Sequence, residues 1–218
     1  MRRTAASVSA NVRQKPALIA RQAVHHCASL QIEQVARMSF IPVGLPSELG
    51  VGLQGAGAFS SDVPSFPNGC HICELEIDPE TGEVALDRYT VVDDIGTVIN
   101  PLLAKGQIHG GVAQGAGQAL LEDIVYDRDS GQLLTGTLMD YGIPRADTVP
   151  AISVDFSPVP STTNPLGAKG VGEGGTVAST PTVMNAILDA LAPLGVTDVP
   201  MPATPERIWR AIRERVRD

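Results

Sequence analysis

Glu173 is the only carboxylate among the fifteen residues LGAKGVGEGGTVAST, Leu166 to Thr180, a stretch that also holds five glycines and one lysine. A carboxylate on such a loop can be brought against a substrate without obstruction from neighbouring side chains, and the chemistry it suits is proton abstraction as a general base. The plainer reading is a surface loop acid, the usual fate of a glutamate. Two other chemistries fail on context. A Walker-type phosphate loop needs Gly-Lys followed directly by Ser or Thr, whereas Lys169 is followed by Gly170 and Val171. A dinucleotide fingerprint needs GxGxxG directly after a strand, a setting that neither Gly170 to Gly175 nor GAGQAL at 115–120 has.

The remaining reactive residue types are weaker candidates. Cys70 and Cys73 have CxxC spacing, but on a strand they face opposite sides, no second CxxC completes a site, and ordinary packing is the expectation. His25-His26 beside Cys27 is discounted in the same way, and no residue is assigned as a metal ligand. Asp93 and Asp94 form an adjacent acidic pair, yet neighbours on a strand point apart, which argues against paired-carboxylate hydrolysis.

The elements that must position these residues form an α+β order. His71, Cys73, Leu75 and Ile77 alternate, DPETGE (78–83) makes a turn, and VALDRYTVV (84–92) returns, which predicts a β-hairpin. Asn100-Pro101 is a helix start by cap and proline, and that helix runs to about Leu121. Its interior glycines, Gly106, Gly110, Gly111, Gly115 and Gly117, each disfavour the helix by up to about 1 kcal/mol. Either another backbone or a flat ligand must approach that face, beside which lie Gln114 and Gln118. Strands are predicted at 123–127, 132–138 and 151–156, and helices opening at Thr180-Pro181 and Thr204-Pro205. Residues 1–68 read as an irregular lead-in with one helix over 16–38, the remnant of an upstream region, and 69–218 as the domain proper.

Composition bounds the function. With 218 residues and 43% apolar content the chain supports a proper core, and 22 glycines with 17 prolines exclude a simple helical bundle. A net charge of −8 without a basic stripe argues against nucleic acid, and no apolar run approaches the roughly 20 residues of a membrane span. Three cysteines, an odd number, fit a reducing compartment and a cytoplasmic location.

Four ordered blocks together carry a resemblance: FPNGCHICELEIDPETGEV (66–84), GQIHGGVAQGAGQALLE (106–122), TGTLMDYGIPRA (135–146) and NPLGAKGVGEGGT (164–176). They resemble the C-terminal, molybdopterin-binding part of the molybdenum hydroxylase large subunit, the family of xanthine dehydrogenase, aldehyde oxidase and aerobic carbon monoxide dehydrogenase. The resemblance implies a mixed sheet with hairpins and helices. It implies a hydroxylation, with water as oxygen source, of an aldehyde, carbon monoxide or an N-heterocycle. In it Glu173 is the catalytic base, Gln114 contacts the cofactor, and Gly110, Gly111, Val112, Gly170, Val171 and Gly172 line the same pocket. Lys169 is implied only as a charge near an anionic cofactor. The implied cofactor is molybdenum–molybdopterin of the cytosine dinucleotide type, with iron–sulfur and FAD only on partner chains. The implied partners are the upstream part of the molybdenum subunit, an iron–sulfur subunit and an FAD subunit, without which the chain is inactive. The alternative is a truncated remnant or docking module that keeps the fold and performs no catalysis.

Overall fold

The computed structural model describes residues 32–41, 43, 51–52 and 58–216, and the chain divides into two compact units, Met1–Asp62 and Val63–Asp218. Within the first unit a helix, α1, spans Ile32–Phe40. It ends where Gly52 N donates to Ser39 O, and Gly52 has a φ of 89° that favours glycine there. The part of the predicted 16–38 helix before residue 32, and the His25-His26-Cys27 cluster, lie outside the described residues.

The second unit is built on the predicted hairpin. β1, Asn68–Ile77, pairs antiparallel with β2, Val84–Asp94. The turn between them is organised by Asp78, whose carboxylate accepts from Glu80 N at 2.8 Å and Thr81 Oγ1 at 2.9 Å. The register slips at Glu74/Leu75, so that Leu86 and Arg88 have partners and Asp87 does not. This bulge keeps Val84 and Leu86 before it, and Tyr89, Val91 and Asp93 after it, on the inward face. β3, Ile152–Phe156, adds parallel to β2 and completes a three-stranded sheet in the order β1-β2-β3.

Helices cover the inner face of this sheet. α2, Pro101–Leu120, starts as predicted, with Asn100 Oδ1 accepting from Leu102 N at 3.1 Å and Leu103 N at 3.2 Å. α3 spans Gly174–Leu191, a short 3-10 turn follows at Ala192–Leu194, and α4 spans Pro205–Val216. The core joins Tyr89, Val91 and Val154 of the sheet to Ile108 and Val112 of α2, Val183, Ile187 and Leu191 of α3, and Ile208 and Ile212 of α4. Among the described residues no helix is long and apolar enough to cross a membrane.

Two expectations are corrected. The helix assigned to begin at Thr180-Pro181 begins seven residues earlier, and Pro181 lies inside it. Packing of the first turns against α2 overrides the local cap-then-proline signal. The carbonyl that loses its donor to Pro181 belongs to Val177, a residue that is 70% exposed. The strands expected at 123–127 and 132–138 reduce to one bridge, Tyr126 to Leu133. Ile124, Val125, Tyr126, Leu133 and Leu134 are all exposed, so no buried face rewards a longer ladder.

Candidate functional site

The glycines of α2 divide by what they face. A Cβ on Gly111 would lie 2.8 Å from Thr176 N and 2.9 Å from Gly175 Cα, and one on Gly115 would lie 1.7 Å from Ser179 Oγ. These glycines let the backbones of α2 and α3 meet, the packing reason for a bare helix stripe. Gly106 and Gly110 are different: a Cβ at either meets nothing within 4 Å. One side of α2 is therefore consumed by packing and the other is bare and open.

Where the two helices meet, hydroxyls cross-link them. Thr176 Oγ1 donates toward Gly111 O at 3.2 Å and Gln114 Oε1 at 3.0 Å. Thr180 Oγ1 stands in the same relation to Gly115 O and Gln118 Oε1, both at 3.3 Å. One turn earlier, Gln107 Nε2 donates to Gly172 O at 2.7 Å, so the same helix also grips the loop that carries Glu173. Helical spacing of 107, 114 and 118 was the available sequence signal for this ladder, though only the last two were singled out.

The loop is fastened at its other end to the end of β2. Lys169 N donates to Ile95 O at 2.9 Å and Thr97 N to Gly167 O at 2.8 Å, while Asn164 brackets Ala168 through both its side-chain atoms. Gly96, with φ 66°, is needed here because a Cβ would lie 2.2 Å from Gly167 O. Lys169 Nζ forms an ion pair with Asp94 Oδ2, so its charge is engaged inside this chain rather than left for an anionic ligand. Asp94 Oδ1 meanwhile accepts from Gly96 N and Val159 N, both at 2.9 Å.

The Lys169 ammonium, and after it the Val159 and Gly96 N–H groups, hold the Asp94 carboxyl down at about 2. An unfolded aspartate titrates near about 3.9, so the clamp is fully present above that value and is lost as pH falls through about 2. Backbone amides of 164–172 are therefore expected to lose protection between pH 4 and 2 ahead of the core. Asp94→Asn is expected to loosen the same amides at neutral pH. Hydrogen exchange read by mass spectrometry, corrected for intrinsic rates, checks both, and equal loop protection in variant and parent would dismiss the clamp.

Glu173 occupies the N-cap position of α3 with φ −112° and makes no side-chain capping bond. Its residue is exposed and lines a cavity of about 630 Å³ together with Phe66, Pro67, Gly69, His71 and Asp93 from the hairpin side. Gly170 and Gly172 border the same cavity. A second cavity of about 430 Å³ lies on the other face of the loop, lined by Ile99, Leu103, Gln107, Lys169, Val171 and Gly172. Gln114 is exposed beside the bare face of α2. Gly111 and Val112 turn inward instead: Val112 is fully buried in the core and Gly111 is occupied by α3.

The other reactive groups behave as side chains of the sheet. Cys73 faces the core side of β1, and burial, with Glu74 adding, pushes its thiol up to about 11. Cys70 is exposed on the opposite face. Among the described residues no cluster of three or more His, Cys, Asp or Glu is arranged to hold a metal ion. Sequence reasoning missed the pairing of His71 with Asp93, although the alternation of β1 and β2 already put both on inward positions.

Similarity to known proteins agrees with this architecture. The sequence profile of the molybdopterin cofactor-binding domain matches residues 1–150. The chain is 40% identical over 169 residues to the carbon monoxide dehydrogenase large chain of Hydrogenophaga pseudoflava, covering 78% of this chain and 21% of that protein. It is 39% identical over 168 residues to the nicotine 6-hydroxylase large subunit of Paenarthrobacter nicotinovorans, covering 77% and 20%. Quinoline 2-oxidoreductase from Pseudomonas putida 86 superposes with a TM-score of 0.75 at 40% identity, over 84% of this chain and 23% of that one. The chain thus spans about a fifth of the length of the curated relatives it matches. Its α+β fold, glycine-bearing helix pair and sequence all point one way: the chain belongs to the molybdopterin cofactor-binding domain family of molybdenum hydroxylase large subunits.

Proposed function

We propose that this chain is the C-terminal portion of a molybdenum hydroxylase subunit that works only when joined to the upstream part, with Glu173 as its general base. The observation that carries the reading is the placement of Glu173, uncapped and unpaired at the rim of a 630 Å³ cavity on a loop fastened at both ends. The residues present fit an anionic pterin cofactor. Gly106, Gly110 and Gly172 have no packing reason among the described residues and leave bare backbone. The positive end of the 18-residue helix α3 opens beside them. When bound, the cofactor supplies the metal that activates water and the sink for the substrate's electrons.

The chain's own residues then have separable tasks. Glu173 takes the proton. Gln107 and the Lys169–Asp94 pair hold its loop in register with α2 and β2. Gln114, whose Oε1 is engaged by Thr176, keeps its amide N–H groups for the cofactor, and Gly110, Gly170, Val171 and Gly172 give it backbone to rest against. Gly111 and Val112 act one step back, seating that stretch against α3 and the core. In this reading the cofactor is of the cytosine dinucleotide type, and iron–sulfur and FAD subunits receive the electrons. The location is cytoplasmic, residues 1–68 lead in from the upstream region, and the substrate is an aldehyde, carbon monoxide or an N-heterocycle. Exposed Ile99, Leu102 and Leu103, at 68%, 80% and 69%, are apolar surface suited to cover by the upstream part.

Elemental analysis tests the reading. Molybdenum is expected in the chain co-purified with an upstream partner, and Gln114→Ala is expected to lower its occupancy severalfold without unfolding the domain. Molybdenum in neither preparation would favour the non-catalytic docking module, and unchanged occupancy in the variant would remove Gln114 from the cofactor site.

A further inference from the structure

The assignment of Glu173 leaves the inner wall of its cavity without a task. There β1 and β2 set His71 and Asp93 side by side, with side chains only 1% and 5% exposed. His71 Nδ1 lies 3.0 Å from Tyr89 OH. The Tyr89 hydroxyl, which also has Thr182 as a partner, can donate to a bare Nδ1 or accept from Nδ1–H, so this bond alone does not fix the tautomer. The carboxylate does: Nε2 faces Asp93 Oδ1 at 3.4 Å, where a lone pair would meet negative charge, so the ring hydrogen is assigned to Nε2 and Nδ1 accepts from Tyr89.

That contact is too poorly aligned to be a hydrogen bond, since Nε2 is buried with no partner. No side-chain hydrogen bond among the described residues reaches the Asp93 carboxylate either, although Gly69 makes room for it: a Cβ there would lie 1.9 Å from Oδ1. A buried donor left unmet disfavours folding, and such a donor beside a carboxylate in a cavity wall is a feature of binding sites. Phe66, Pro67, Val177 and Ala178 make much of the remaining lining apolar.

We propose that His71 and Asp93 form a ligand anchor for a molecule that presents a hydrogen-bond acceptor next to a donor, the pattern of a carboxamide or lactam edge. His71 Nε2–H donates to the ligand's carbonyl, the Asp93 carboxylate accepts its N–H, and the apolar lining takes its hydrocarbon part. The ligand is a substrate only if Glu173 is the base assigned above, and to that extent the proposal rests on that reading. Binding itself does not, and it is measured without molybdenum.

The experiment uses the full 218-residue chain with ¹⁵N-labelled histidine, of which there are four. 2-Pyrrolidinone is the probe, and N-methyl-2-pyrrolidinone, the same ring without the donor, is the control. Pyrrolidinone is expected to move the His71 ring-nitrogen signals saturably, at least tenfold more tightly than the control, and Asp93→Ala is expected to erase that preference. If Asp93→Ala does not fold, the probe and control on the parent chain decide alone. Unmoved His71 signals, equal response to the two rings, or a shift shared by all the histidines would overturn the anchor and leave the pair holding a water at most. Molybdenum content after co-expression reports separately on the catalytic reading, so the two failures are distinguishable.

Discussion

Glu173→Gln, in the assembled molybdenum subunit, is expected to lower turnover by about 10³-fold or more while leaving molybdenum content and stability unchanged. The stability half of that statement follows from the geometry. Glu173 holds the N-cap position of α3 but contributes no side-chain capping bond, so its carboxylate is not part of what starts the helix. The loop is secured by other groups: Gln107 on Gly172 O, Lys169 on Asp94, and the Asn164 bracket around Ala168. A surface substitution of this kind shifts stability by no more than about 0.5 kcal/mol. Glutamine keeps the shape of the side chain but is neutral and cannot take a proton, a loss that for a positioned general base accounts for roughly 10²–10⁴ in rate. The measurement is kcat beside molybdenum per subunit. A glutamine variant that turns over normally with full metal would end the general-base assignment, whereas one that loses metal would show that the carboxylate supports the cofactor.

How far the sequence foretold this arrangement depended on whether a signal was local. The hairpin was legible because alternation at His71, Cys73, Leu75 and Ile77 and the turn chemistry of Asp78 to Gly82 act within a few residues. Asn100-Pro101 and Thr204-Pro205 announced α2 and α4 for the same reason. Thr180-Pro181 carried the same local signal and misled, because the start of α3 is decided by what its first turn packs against, and Gly175 and Thr176 lie against Gly111 of a helix more than sixty residues earlier. Lys169 shows the limit most plainly. Its partner Asp94 lies seventy-five residues away, and only the closure of the loop on the end of β2 brings them together. The same closure puts Glu173 beside a cavity that Phe66, Gly69, His71 and Asp93 also line, a relation that neither the spacing nor the family resemblance contained.

The glycines of α2 turn this distinction into a matched pair of substitutions on one helix. Gly106→Ala is expected to stabilise the domain by about 0.5–1 kcal/mol, since alanine is the better helix former and a Cβ there meets nothing within 4 Å. Gly111→Ala gains the same propensity and is nonetheless expected to destabilise by about 1–3 kcal/mol, because its methyl group must displace backbone. The obstructing atoms are Thr176 N at 2.8 Å, Gly175 Cα at 2.9 Å and Gly175 C at 3.0 Å, none of which can rotate aside as a flexible side chain would. Gly175 is itself tight against α2, since a Cβ there would lie 2.7 Å from Ile108 O, so α3 can yield only by moving away from α2 as a unit. That movement would also pull Thr176 from Gln114 and shift the helix end that Glu173 begins, so the damage from Gly111→Ala extends to the site while Gly106→Ala spares this helix contact. Urea midpoints at constant slope, parent against each variant, are the test. Opposite signs for the two alanines would establish that one face of α2 is built for helix contact and the other is bare for a different reason; a neutral Gly111→Ala would mean that the helices slide apart easily and that the site tolerates it.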